Sequence, residues 1–118
     1  LADADYSYAS GLVAAERLLR TEPRPTAVCC VSDILALSVI SLAHDMGLRV
    51  PEDVSVIGFD GITMSRYCVP VMTTIVQPSE QIALQSIELL VRQIEHGSPA
   101  QTVTLQPELQ QGESVRAI

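Results

Sequence analysis

The apolar positions of the chain fall into alternating helix-like and strand-like periods. Tyr8, Leu12, Ala15 and Leu19 recur at helical spacing and predict a helix over about 8–21 with one apolar face. Glu16, Arg17 and Arg20 lie off that face. Glu22-Pro23-Arg24-Pro25 ends the helix, because each proline pushes its predecessor out of the right-handed helical region. The run 26–31 is short and apolar, as in a strand buried on both faces of a parallel sheet. Ser32 and Asp33 then offer oxygen acceptors for the first N–H groups of a second helix, expected to reach about Met46 and stop at Gly47. Leu35, Val39, Leu42 and Met46 form one apolar stripe of that helix, and Ile34, Leu37 and Ile40 form a second. A helix apolar on two sides needs two surfaces to cover it, the sheet and something else.

Further strands are predicted at 54–59 and 71–76, both rich in β-branched residues. A long helix is expected over about 79–96, with Ala83, Ile87, Leu90 and Ile94 on its buried face and Gly97 at its end. A last short strand is expected at 102–105, before the sequence turns polar. Strands alternating with helices predict an α/β fold, a parallel sheet with helices on both faces.

Composition narrows the function classes. At 118 residues and 47% hydrophobic content, the chain is one domain's worth and can bury a core, which excludes disorder. No apolar run approaches the ~20 residues needed to cross a bilayer. The net charge is −7, and all seven bases are scattered arginines, so this stretch is not expected to grip nucleic acid or an anionic membrane. The three cysteines, Cys29, Cys30 and Cys68, form no disulfide framework and are expected as buried, reduced thiols. The chain begins at Leu1 rather than Met and is expected to be a piece of a longer protein.

Catalytic motifs are lacking: there is no nucleophile elbow, no P-loop and no dinucleotide fingerprint. His44 and His96 sit near predicted helix ends without metal-ligand spacing, so no metal and no cofactor are expected. Asp60 stands apart. It follows an apolar strand directly, and Gly61 leaves room beside it. Ligands of open α/β sheets bind at the carboxyl ends of strands, where a carboxylate can accept two hydroxyl hydrogen bonds. Capping of the following turn is its alternative role. Ser32 has a similar position, as a helix cap, a ligand contact or both, and Asp33 is expected to cap or orient the helix start. Tyr6 is one of four aromatic residues and suits either packing or stacking on a sugar or base.

Four stretches in order carry a wider pattern: Pro25 to Val28, Ser32 to Leu37, Gly47 to Asp60 and Pro70 to Pro78. Their wording and spacing resemble the LacI/GalR family of bacterial transcriptional repressors over nearly the whole chain, close to its purine, ribose and cytidine repressors. The resemblance implies a type I periplasmic-binding-protein-like core that binds a small effector between two lobes and dimerises, while a separate headpiece binds operator DNA. Residues 1–76 would be most of the C-terminal lobe. Residues 77–118 would be the crossover helix and strand returning to the N-terminal lobe, with the headpiece and most of the first lobe outside this chain.

The family's effector contacts map onto Tyr6, Ser32 and Asp60, with Gln77 a weaker candidate. Its dimer contacts map onto the second helix and the 66–72 segment, here Leu35, Val39, Leu42, Met46, Tyr67, Cys68 and Val69. Ser32 departs from the family's usual Asn, and Ser38, Ala83 and Gly112 are further departures. The resemblance implies a cytoplasmic, non-enzymatic regulator of operator binding, responsive to a sugar or a nucleoside- or purine-like molecule, and without membrane partners. The alternative is a periplasmic sugar-binding protein of a transporter, which shares the fold. A small α/β enzyme using Asp60 as base lacks a nucleophile or metal partner.

Overall fold

The computed structural model of the protein describes residues 1–97 and 99–117. Its described residues divide into two compact units, 1–76 with 109 onward, and 77–108.

The first unit begins with α1 (Tyr8–Leu19), capped by Ser7, whose Oγ accepts from the Ser10 N–H at 3.1 Å. Its buried face is Gly11, Ala14, Ala15 and Leu19, while Tyr8 is exposed and Leu12 half-buried. The inward stripe is thus smaller and rotated from the expected one. The reason is the close approach of α2 (Asp33–Asp45): a β-carbon on Gly11 would collide with the Ser38 side chain. The Ser38 hydroxyl lies fully buried in this contact and donates to Tyr8 O and Ile34 O, each at 3.0 Å.

Strand β1 (Ala27–Cys29) follows α1, and β2 (Ser55–Asp60) and β3 (Thr73–Val76) follow α2. The sheet order is β1-β2-β3-β4, with β1–β2 and β2–β3 parallel. The α/β parallel-sheet expectation is met. Strand β1 is the sheet edge among the described residues, and only Val28 of its three residues is buried. The expected burial on both faces does not occur, and Cys29 is exposed rather than buried, with Cys30 and Cys68 half-buried. An edge strand with one covered face alternates, and consecutive cysteines then point opposite ways.

The core lies between the sheet and the two helices, built from Ala15, Leu19, Val28, Ala36, Val39, Ile40, Ala43, Val54, Val56 and Met72. Helix α2 ends as expected at Gly47, whose φ is +72°. Gly47 N–H donates to His44 O at 2.9 Å and Leu48 N–H to Ala43 O at 2.8 Å, the paired bonds of a Schellman stop.

The chain's tail closes the sheet near the strands' start. Ser114 is fully buried, donates from Oγ to Val56 O at 2.6 Å and accepts there from Thr73 N–H at 2.9 Å. Val56 N–H donates to Ser114 O at 2.8 Å. Gly112 leaves this passage open, since a β-carbon there would meet the Val71 and Met72 backbone. The described residues 109–117, expected to travel with the crossover, belong to the first unit.

The second unit holds α3 (Ser79–His96), ending at Gly97 with φ +59°. No residue of α3 is buried, and Ile87, Leu90 and Ile94 of the expected buried face are exposed. Ile82, Ser86 and Leu89 line one groove with Val103 and Leu105, and Leu89, Leu90 and Gln93 line another with Pro99 and Gln101. The expected strand at 102–105 is irregular, and β4 forms at Glu108–Gln110. Val103 and Leu105 line a groove with α3 instead of pairing, and Pro107 precedes the pairing residues.

Candidate effector site

The carboxyl ends of the parallel strands carry the candidate residues. Ser32 precedes Asp33, whose carboxylate bonds the Gly61 and Ile62 N–H groups, so Ser32 and Asp60 stand at the same carboxyl end of the sheet. Adjacent strands lie about 4.8 Å apart, so the sheet brings Ser32 and Asp60 to one edge. Helix α1 reaches the same edge, because Tyr8 O accepts from Ser38 in the second turn of α2. Tyr6, just before the cap of α1, is 73% exposed and presents its ring outward.

Asp60 closes β2 with φ +122°, the one non-glycine positive φ among the described residues. A β-carbon opposes that conformation, and such strain persists where surroundings hold it. The two residues after it are bonded by Asp33. This carboxylate is fully buried in the first turn of α2. Its Oδ2 accepts from Gly61 N–H at 2.9 Å and from Ile62 N–H at 2.8 Å, and its Oδ1 accepts from the Thr74 hydroxyl. Gly58 gives it room, since a β-carbon there would strike Oδ1 and the Met72 sulfur. Asp33 thus caps the turn that follows β2.

Ser32 is 3% exposed and serves as the α2 cap, its Oγ accepting from Leu35 N–H at 3.3 Å. Its hydroxyl proton remains the only donor it can offer a ligand. Gln77 belongs to the second unit, half-buried, with its carbonyl accepting from Ser79 N–H at 2.8 Å.

A second feature is an open groove of the first unit. Leu37, Ile40, Ser41 and His44 of α2 line it with Met64, Cys68 and Val69 of the segment after β2. Tyr67 and Val69 are strongly exposed. Val39 is buried in the core, with Leu42 and Met46 packed against that core. Leu37 and Cys68 are likewise half-buried against the core, His44 is exposed, and Val39 presents nothing outward.

Sequence reasoning missed Asp33 as a clamp and Ser114 as a plug. Their partners lie 28 to 58 residues away in the chain, and no local period registers them. The traces they leave are Gly58 and Gly112, small residues where a polar side chain or a strand needs space.

Residues 2–115 match the model of the periplasmic binding protein-like domain. The chain belongs to this domain family. It is 40% identical over 116 residues to the HTH-type transcriptional repressor PurR of Edwardsiella ictaluri (strain 93-146), covering 98% of this chain and 34% of that protein. The fold is similar to the CelR–cellobiose complex, a transcriptional regulator, with TM-score 0.88, 34% identity and coverage of 94% and 34% of the two chains. It is also similar to a LacI family regulator of Enterococcus faecium with bound ribose, with TM-score 0.86, 28% identity and coverage of 98% and 42%. The chain spans about a third of the length of the curated relatives it matches.

Proposed function

We propose that this chain is the effector-sensing and dimerisation region of a cytoplasmic, LacI-type transcriptional repressor. The observation that carries the reading is Asp60, a carboxylate in a left-handed backbone conformation at the carboxyl end of the central parallel strand β2. Ionised, it only accepts hydrogen bonds, which suits the hydroxyls of a small polar ligand. Ser32 already accepts a helix N–H, so it would donate to a ligand oxygen. The exposed Tyr6 ring suits the apolar face of a sugar or a base. Together these favour a sugar or a nucleoside- or purine-like effector, and the cellobiose and ribose complexes of similar regulators support the sugar class. Gln77 is a further candidate contact.

The groove beside α2, with exposed Tyr67 and Val69 next to half-buried Cys68, supports a homodimer through this face. Leu35, Leu42 and Met46 are further candidate contacts of the dimer. Residues 1–76 would form most of the C-terminal lobe, and α3 would cross to an N-terminal lobe. Effector binding would favour one lobe arrangement and so change operator affinity through a headpiece in the longer protein. The reading assigns no catalytic step. A transporter's sugar-binding protein could share the fold, but repressor relatives favour regulation.

The test is calorimetric titration of the full-length protein with ribose, cellobiose, hypoxanthine and cytidine, followed by operator binding with and without the binder. The expected result is one site per chain for at least one of the four, with a shift in operator affinity. Binding of none of them would overturn the effector class, and binding without an operator shift would overturn the regulatory role.

A further inference from the structure

The buried Asp33 belongs to no effector contact, yet it joins three elements at the edge where Asp60 stands. Its backbone starts α2. One of its oxygens takes the two N–H groups that follow Asp60, and the other takes the Thr74 hydroxyl of β3. Two features mark this as a built arrangement. Gly58 leaves the space the carboxylate occupies, and the carboxylate has no measurable exposure, so water does not compete for its acceptors.

The consequence falls on Asp60. Its φ of +122° opposes the ordinary preference of a residue with a β-carbon. Without the bonds to Gly61 and Ile62, the turn would relax toward an ordinary conformation and the Asp60 side chain would swing with it. Two fixed amides immediately after the strand prevent that relaxation.

We infer that Asp33 is a positioning residue for the effector site, clamping the 60–62 turn so that the Asp60 carboxylate faces the ligand. The inference rests on the proposed role of Asp60. It adds that effector affinity depends on a side chain that does not touch the effector.

The test uses the full-length protein and compares Asp33→Ala, Asp33→Asn, Thr74→Val and Asp60→Ala. Two quantities are read: amide hydrogen exchange at Gly61 and Ile62, and calorimetric affinity for whichever of ribose, cellobiose, hypoxanthine or cytidine binds the unaltered protein. Asp33→Ala is expected to speed exchange at Gly61 and Ile62, leave Ala14 and Ala15 of α1 protected, and weaken binding about tenfold. Asp33→Asn keeps an acceptor oxygen for the turn and is expected to recover most of both losses. Should Asp33→Ala fail to fold, Thr74→Val frees one side of the carboxylate and is expected to produce the same two changes at smaller size.

Unchanged protection at Gly61 and Ile62 in the folded variants would overturn the clamp. Faster exchange with unchanged affinity would overturn the positioning role. If Asp60→Ala binds as well as the unaltered protein while Asp33 variants still loosen the turn, the effector role of Asp60 fails and the clamp itself stands.

Discussion

Asp60 combines a strained backbone with a half-buried position at the carboxyl end of β2, and the two can be separated by substitution. Both Asp60→Ala and Asp60→Gly lose the carboxylate, but only glycine adopts φ +122° without a β-carbon penalty. Asp60→Gly is therefore expected to be more stable than Asp60→Ala by about 1–2 kcal/mol in denaturant unfolding. Equal stability of the two would mean that the turn imposes no strain. The cysteines offer a second check on side-chain environment. Burial pushes the Cys30 thiol up to about 12, with smaller contributions from Cys29 and Asp33. The neighbouring Cys29 is exposed. Brief alkylation at pH 8, mapped by mass spectrometry, should label Cys29 and spare Cys30; equal labelling would contradict the opposed orientations. At this scale the sequence announced Asp60 through its position after an apolar strand. It could not announce Asp33, because an Asp after Ser at a helix start looks like an ordinary cap. Its real partners, Gly61, Ile62 and Thr74, are brought to it only by the fold.

The elements are tied together by small polar residues as much as by apolar burial. Ser114 sits between β2 and β3 near their start and satisfies a carbonyl and an N–H that the ladder leaves open. Ser114→Ala is expected to destabilise the fold by about 1–3 kcal/mol in denaturant unfolding, the cost of leaving buried backbone groups unpaired. A change well under that range would mean water replaces the hydroxyl. The connection from α2 to β2 is held differently. Arg49 donates to Asp53 from its backbone and from its guanidinium, at 2.8, 3.0 and 3.1 Å. These bonds bring the Asp53 carboxyl down from 3.8 to about 2. Because the folded value is depressed, the loop's stabilisation is present above the ordinary value and lost as pH falls through about 2. The Asp53 carboxyl carbon should titrate by NMR near that value, and Arg49→Ala should return it toward the ordinary range; an unmoved midpoint would remove Arg49 as the cause. The helices and strands of the first unit were legible because period, proline and Gly47 agree with one another. Helix α3 was legible in extent but not in orientation. Its apolar stripe of Ala83, Ile87, Leu90 and Ile94 is a property of the helix, whereas its burial depends on what the fold places against it, and Ile87, Leu90 and Ile94 stay exposed. The strand at Glu108–Gln110 has too little β-branched content to stand out, and its pairing depends on the sheet edge it joins.

At the scale of the whole molecule, the chain carries one α/β unit with its candidate site along one edge and its groove on a helix face. The groove residues Met64 and Val69 are exposed on the protomer, so charge there should disturb association without unfolding the core. Val69→Glu in the full-length protein is expected to convert dimer to monomer in sedimentation while leaving the unfolding midpoint nearly unchanged. An intact dimer would move the interface elsewhere. The most direct test of the central account is calorimetric titration of the full-length protein and its Asp60→Ala variant with ribose, cellobiose, hypoxanthine and cytidine. The account predicts that a ligand bound by the unaltered protein loses about 1–3 kcal/mol of affinity in the variant, the scale of a charged hydrogen-bond partner. Undiminished binding by a folded Asp60→Ala variant would contradict it and remove the β2 carboxyl end from the effector site.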